Sequence, residues 1–109
     1  MADLQEHKAI AAKYATNVHI AALDGLAKNY ALVLSKNDSQ FVACGDDAEK
    51  DTVRTNFLKK KLALTNSDAD LNAAIEAVCG KMKDDRFKSR LAFYYLLAEH
   101  YKKLDLFVK

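Results

Sequence analysis

Eight basic side chains in two short runs are the residues of this chain whose type and spacing could do chemistry. Lys59, Lys60 and Lys61 form one run; Lys81, Lys83, Arg86, Lys88 and Arg90 form the other. Brought together in space, they would neutralise phosphates and bind nucleic acid in a salt-dependent, sequence-tolerant way. The competing reading is a solvated face. Asp84 and Asp85 interrupt the second run, and Asp84 stands four residues before Lys88, a helix-stabilising pair that cancels part of the field. The pI of 8.5 also lies below the value of about 9 expected of a nucleic-acid-binding domain. The solvated face is the expected reading, with nucleic acid or another acidic partner as the alternative.

The remaining reactive types are sparse. His7, His19 and His100 are far apart, and none forms the i,i+4 histidine pair of a metal-binding helix. His100 falls on the stripe Phe93, Leu97, His100, Leu104, which points it inward as a core or boundary histidine. Cys44 and Cys79 have no metal or redox spacing, so both are read as reduced, small hydrophobes near the core. Asp46-Asp47 and Asp84-Asp85 are adjacent pairs, suited to helix N-termini rather than to chelation. With three glycines there is no phosphate-binding loop, and no Gly-x-Ser-x-Gly elbow or Cys/His signature occurs. Tyr94, Tyr95 and Tyr101 could line a pocket, but aromatic residues at helical spacing are expected to be core. Arg90, one turn before Tyr94, is placed for a cation–π contact. No enzyme activity, metal or cofactor is expected.

The elements that would position these residues are helical. The chain has 109 residues and no proline, and its few β-branched residues sit at helical spacing. One domain, residues 1–109, is expected. Leu91 to Ala98 carries no charge and is apolar on nearly all sides, so residues 86–104 should form a central, buried helix. That run is too short to span a bilayer. The first eight residues have neither a basic start nor a secretory apolar run, which makes cytoplasm the expected location. Residues 1–52 carry eight acids and five bases, a charge of −3; residues 53–109 carry seven acids and twelve bases, +5.

Four further helices are expected around the centre. A thin, Ala-rich outer helix runs from Asp3 to Ala15, with Leu4, Ala11, Tyr14 and Ala15 as its apolar edge. The next runs from Val18 to about Tyr30, with Ile20, Leu23, Ala27 and Tyr30 inward; Gly25 within it implies a close crossing. Ala31 to Leu34 either continues this helix or is extended. Gln40 to Ala43 should make a short helical turn, stopped by Gly45 in a left-handed conformation. The third helix runs from Asp47 to Leu62 with Val53, Phe57, Leu58 and Leu62 inward, and the fourth from Asp68 to Met82 with Leu71, Ala74, Ile75, Val78, Cys79 and Met82 inward. Gly80 and Asp84-Asp85 suggest a break before the central helix, with one long kinked helix as the alternative, since no proline intervenes. The apolar tail, Leu104, Leu106, Phe107 and Val108, either folds back over the bundle or docks on a second subunit.

Three blocks also carry a resemblance. Val53-Arg54-x-Asn56-Phe57-Leu58-Lys59-Lys60-Lys61-Leu62, Lys81-Met82-Lys83-x-Asp85-Arg86-x-Lys88-Ser89-Arg90 and Phe93-Tyr94-Tyr95-Leu96-Leu97-Ala98-Glu99 resemble a family of small bacterial proteins, domain-of-unknown-function family 2853. The resemblance is clear from Val53 to Leu104 and looser before it. It implies a compact bacterial helical domain and assigns no activity, ligand or functional residue. The expected fold is therefore an all-α bundle of about five helices. The expected role is a non-catalytic module that binds a protein partner or a second copy of itself, with no membrane association.

Overall fold

A computed structural model describes residues 4–14, 19–30, 41–83 and 88–108. Its helices are α1 (Leu4–Tyr14), α2 (Ile20–Asn29), α3 (Asp47–Thr52), α4 (Asp68–Lys81) and α5 (Arg90–His100). A π-helix, Val53–Lys61, continues α3 without a break, and a 3₁₀ turn, Leu104–Phe107, closes the chain. Two short strands, β1 (Phe41–Val42) and β2 (Lys88–Ser89), pair antiparallel with Phe41 opposite Ser89. The Cα radius of gyration, 12.6 Å, is close to the ~13 Å of a 100-residue domain. Among the described residues, no helix is long and apolar enough to cross a membrane.

The uncharged run does form the centre. Every residue from Arg90 to Ala98 is buried. The helix is shorter than the expected 86–104 because Lys88 and Ser89 are extended against β1, and the Ser89 hydroxyl caps α5 by accepting from the Ala92 amide (3.3 Å). At the other end Lys102 turns left-handed (φ 59°), and its neighbour's amide closes onto the Ala98 carbonyl (2.8 Å).

The π-helix has its cause in the apolar spacing. Val53, Phe57, Leu58 and Leu62 are all buried, at intervals of four, one and four residues. Nine residues of α-helix make about two and a half turns, which would aim Leu62 away from Val53. The wider i→i+5 turn brings both to one side. The helix ends with Ala63 left-handed (φ 54°) and the Leu64 amide donating to the Leu58 carbonyl (3.1 Å). The inward face of α4 is as its spacing predicts, and Ser67 caps that helix by accepting from the Asp70 amide (3.2 Å).

Several expectations are corrected. α1 lies outside the central α5 with Ala11 inward as expected, but it packs along α5 closely enough to bury His7, which is not on the expected apolar edge. Ile20, in the first turn of α2, is 68% exposed; the buried face is Ala22, Leu23, Leu26 and Ala27, and Ile20 lies at its edge. Phe41–Val42 is a strand rather than a helical turn, since Lys88–Ser89 offers it a pairing edge. Gly45 is not left-handed. Cys44 and Cys79, expected as free thiols, are joined in a disulfide with Cα atoms 6.0 Å apart, because β1 returns the chain to the last turn of α4. The expectations for Ala31–Leu34, Asp84–Asp85 and the cap Asp3 fall outside the described residues.

Gly25 is accounted for by a close approach, though not to another α-helix. A Cβ there would stand 1.7 Å from the Phe107 carbonyl oxygen, so only glycine lets the 3₁₀ turn lie on α2. The tail folds back on its own subunit.

Candidate functional site

The two basic runs occupy different places. Lys59, at the end of the π-helix, pairs with Asp68 at the start of α4 (2.6 Å) and holds that carboxyl below the usual range. Lys61 lies 5.8 Å from the centre of the Phe107 ring, and Lys60 is exposed beside them. Lys81 is the last residue of α4, followed by exposed Lys83. A helix of this length is ~20 Å long, so Lys59 to Lys61 and Lys81 with Lys83 mark its opposite ends. Lys88 is half-buried in β2, and Arg86 lies outside the described residues. Arg90 is only 6% exposed, so it belongs to the interior rather than to a cationic face. Among the described residues, the two runs are not gathered at one place.

What Arg90 builds instead is a clasp. Its guanidinium donates to the Tyr94 hydroxyl (2.9 Å) and the Phe41 carbonyl (3.3 Å), and ion-pairs closely with Glu49 of α3. It also sits 5.5 Å from the centre of the Tyr94 ring, the cation–π contact expected from the spacing. Tyr94 stacks on Phe57 (4.0 Å between centroids), Tyr30 meets Tyr94 edge-on at 5.0 Å, and Phe107 lies parallel to Phe57 at 6.3 Å. Burial pushes the Tyr94 hydroxyl up, with Arg90 opposing it. Burial also works against the Arg90 charge, but Tyr94 and Glu49 outweigh it and raise the pKa. One guanidinium thus holds β1 and α3 against α5. Glu49 carried no signal in the sequence, since its partner lies 41 residues away.

The three histidines have separate duties. His7 Nδ1 and Ser89 Oγ are 2.6 Å apart, across 82 residues of chain. A hydroxyl on an imidazole has the parts of a nucleophile and its base. Here both residues are fully buried and Ser89 is occupied as the α5 cap, so the pair pins α1 to α5. His19 caps α2, accepting from the Ala22 amide (3.4 Å), while its own amide donates to the Tyr95 hydroxyl (2.8 Å). His100 is exposed, against the inward direction expected, because α5 leaves the core after Ala98. With Lys81, Glu99, Val78 and Leu96 it lines a shallow cavity of about 140 Å³.

A larger concavity, about 360 Å³, runs between α3 and α4 over the buried Ile75. Lys50 bridges Asp47 (3.7 Å) and Glu76 (2.6 Å), and its pKa is raised, chiefly by the hydrogen bond to Glu76. Arg54 pairs with Asp51 (2.8 Å) and donates to Asn72 (2.9 Å). Its charges are thus paired from wall to wall. Among the described residues, no group of three or more His, Cys, Asp or Glu could hold a metal ion.

The apolar tail divides. Phe107 is 2% exposed and belongs to the core. Leu104 and Val108 are half-buried against it, and Leu106 stays 48% exposed. The 3₁₀ turn that carries Leu106 packs on α2, which carries Ile20.

A family model described as "Protein of unknown function (DUF2853)" matches residues 5–105, taking in the N-terminal helices as well as the three sequence blocks. No curated protein matches the chain.

Proposed function

The chain belongs to the DUF2853 family, and we propose that it acts as a non-catalytic interaction module that pairs with a second copy of itself. The observation that carries this reading is the position of two residues. Ile20 and Leu106 are the large hydrophobics left exposed among the described residues, and they lie on α2 and the 3₁₀ turn, two elements packed on each other. Half-buried Leu104 and Val108 add apolar surface on and beside the same 3₁₀ turn as Leu106. Burying such side chains against another subunit is worth about 1.5–3 kcal/mol for each one fully covered. An acidic partner has less support, since Lys59 is engaged with Asp68 and Arg90 with Glu49.

Truncating the tail is a poor test, because it removes Phe107 from the core. Leu106→Asp and Ile20→Asp charge these two exposed positions and leave the core intact. Size-exclusion chromatography with light scattering should show each variant shifted toward the monomer, with an unaltered helical spectrum. Variants that keep the mass of the parent would exclude this face. A cytoplasmic location belongs to the same proposal and is tested by fractionating the source cells. In that compartment disulfides are rare and mostly transient.

A further inference from the structure

Gly45 and Gly80 each follow one half of the disulfide Cys44–Cys79. Unlike Gly25, neither is required by its surroundings. Neither has positive φ, both are exposed, and among the described residues nothing lies within 4 Å of where a Cβ would stand. Gly80 is in the last turns of α4, where alanine would favour the helix. Thiol–disulfide exchange depends on access to a sulfur atom, and the two halves differ in it: Cys44 is half-buried in a turn with the bare Gly45 next to it, whereas Cys79 is 8% exposed and faces the core.

The bond is also not the sole tie at this point. Arg90 grips the Phe41 carbonyl three residues before Cys44 and the Glu49 carboxylate five residues after it. The Asp46 amide closes the turn on the Ala43 carbonyl (3.1 Å), and the Asp46 side chain caps α3 (2.9 Å). Cys79 is held by its own helix, with Ile75, Val78 and Met82 buried around it. Both Cα positions are therefore set by contacts that survive loss of the bond.

We propose that Cys44–Cys79 is a reversible thiol–disulfide couple, opened by a dithiol reductant approaching from the Cys44 side, beside Gly45. A thiolate of the dithiol attacks one sulfur and the S–S bond breaks. A mixed disulfide forms, and the other cysteine leaves as a thiolate that takes a proton from water. The second thiol of the dithiol then displaces the remaining cysteine and closes its own disulfide. Two electrons and two protons pass to Cys44 and Cys79. Opening removes the covalent tie between the turn at residues 43–46 and α4, while the contacts that seat each cysteine stay in place.

The test is reduction of the folded chain with dithiothreitol, without denaturant, followed by alkylation and mass spectrometry. Two alkyl groups should appear while the helical and near-ultraviolet tyrosine spectra persist. Exchange into oxidised dithiothreitol should restore the intramolecular bond. Gly45→Leu, checked for native helicity, should slow reduction several-fold, and Gly80→Leu, beside the buried Cys79, should not. A Cys44→Ser/Cys79→Ser chain should fold, which separates loss of the bond from damage by the reagent. A bond that opens only in denaturant, a fold lost on reduction, or a Gly45→Leu variant reduced at the parent rate would each overturn the proposal.

Discussion

Gly25 lies so close to Phe107 that a single methyl group on its Cα would meet the Phe107 carbonyl oxygen at 1.7 Å. The opposing atom is backbone, which cannot swing aside as a side chain would. Gly25→Ala should therefore lift the 3₁₀ turn and draw Phe107 away from Phe57, at a cost of roughly 2–3 kcal/mol. Urea denaturation measures this, with Gly80→Ala as the control. That second exchange meets no neighbour among the described residues and should be stabilising by up to about 1 kcal/mol.

The Arg90–Glu49 pair makes an asymmetric prediction. Glu49→Ala takes one carboxylate away from the buried Arg90 guanidinium and should cost about 2–3 kcal/mol. The double variant Arg90→Met/Glu49→Leu removes both charges and keeps apolar volume, so it should be less destabilised than the two single losses summed. A double-mutant cycle in urea reads the coupling directly.

Alkali should act through the tyrosines. Burial raises the hydroxyls of Tyr30 and Tyr94, and burial together with the Asp70 hydrogen bond pushes Tyr101 up to about 12. Above the ordinary value of 10 the unfolded chain gives up protons that the folded chain keeps. Stability is thus full below pH 10 and falls as pH climbs toward the folded values. Phenolate absorbance should show these three tyrosines ionising late and together with loss of helix. Early, independent ionisation of all five tyrosines would contradict the packing described.

Lys102 holds a left-handed backbone that favours glycine. Lys102→Gly should raise stability by about 0.5–1 kcal/mol, because relief of the left-handed backbone exceeds the added freedom of the unfolded chain. Thermal unfolding measures the gain.

How much of this was legible in the sequence follows from the range of each interaction. The central helix and the inward faces of α4 and of Val53 to Leu62 repeat over a few residues, so periodicity exposes them. Even the π-helix left a trace, in the nine-residue interval from Val53 to Leu62. Arg90 looked like one more base in a basic run, since its burial depends on Glu49, 41 residues earlier. His7 and Ser89 meet across 82 residues, and Cys44 and Cys79 across 35, with no local pattern in either pair. Two-residue strands are too short to alternate, which is why Phe41–Val42 passed for a helical turn. The tail was legible as apolar, but its destination depended on the bare surface at Gly25.

The proposal of self-association is tested most directly by sedimentation equilibrium of the intact chain over a wide concentration range. The account expects the mass to rise from 12.2 kDa toward twice that value as concentration increases, with the rise abolished in Ile20→Asp/Leu106→Asp. A mass of 12.2 kDa at every concentration would contradict it.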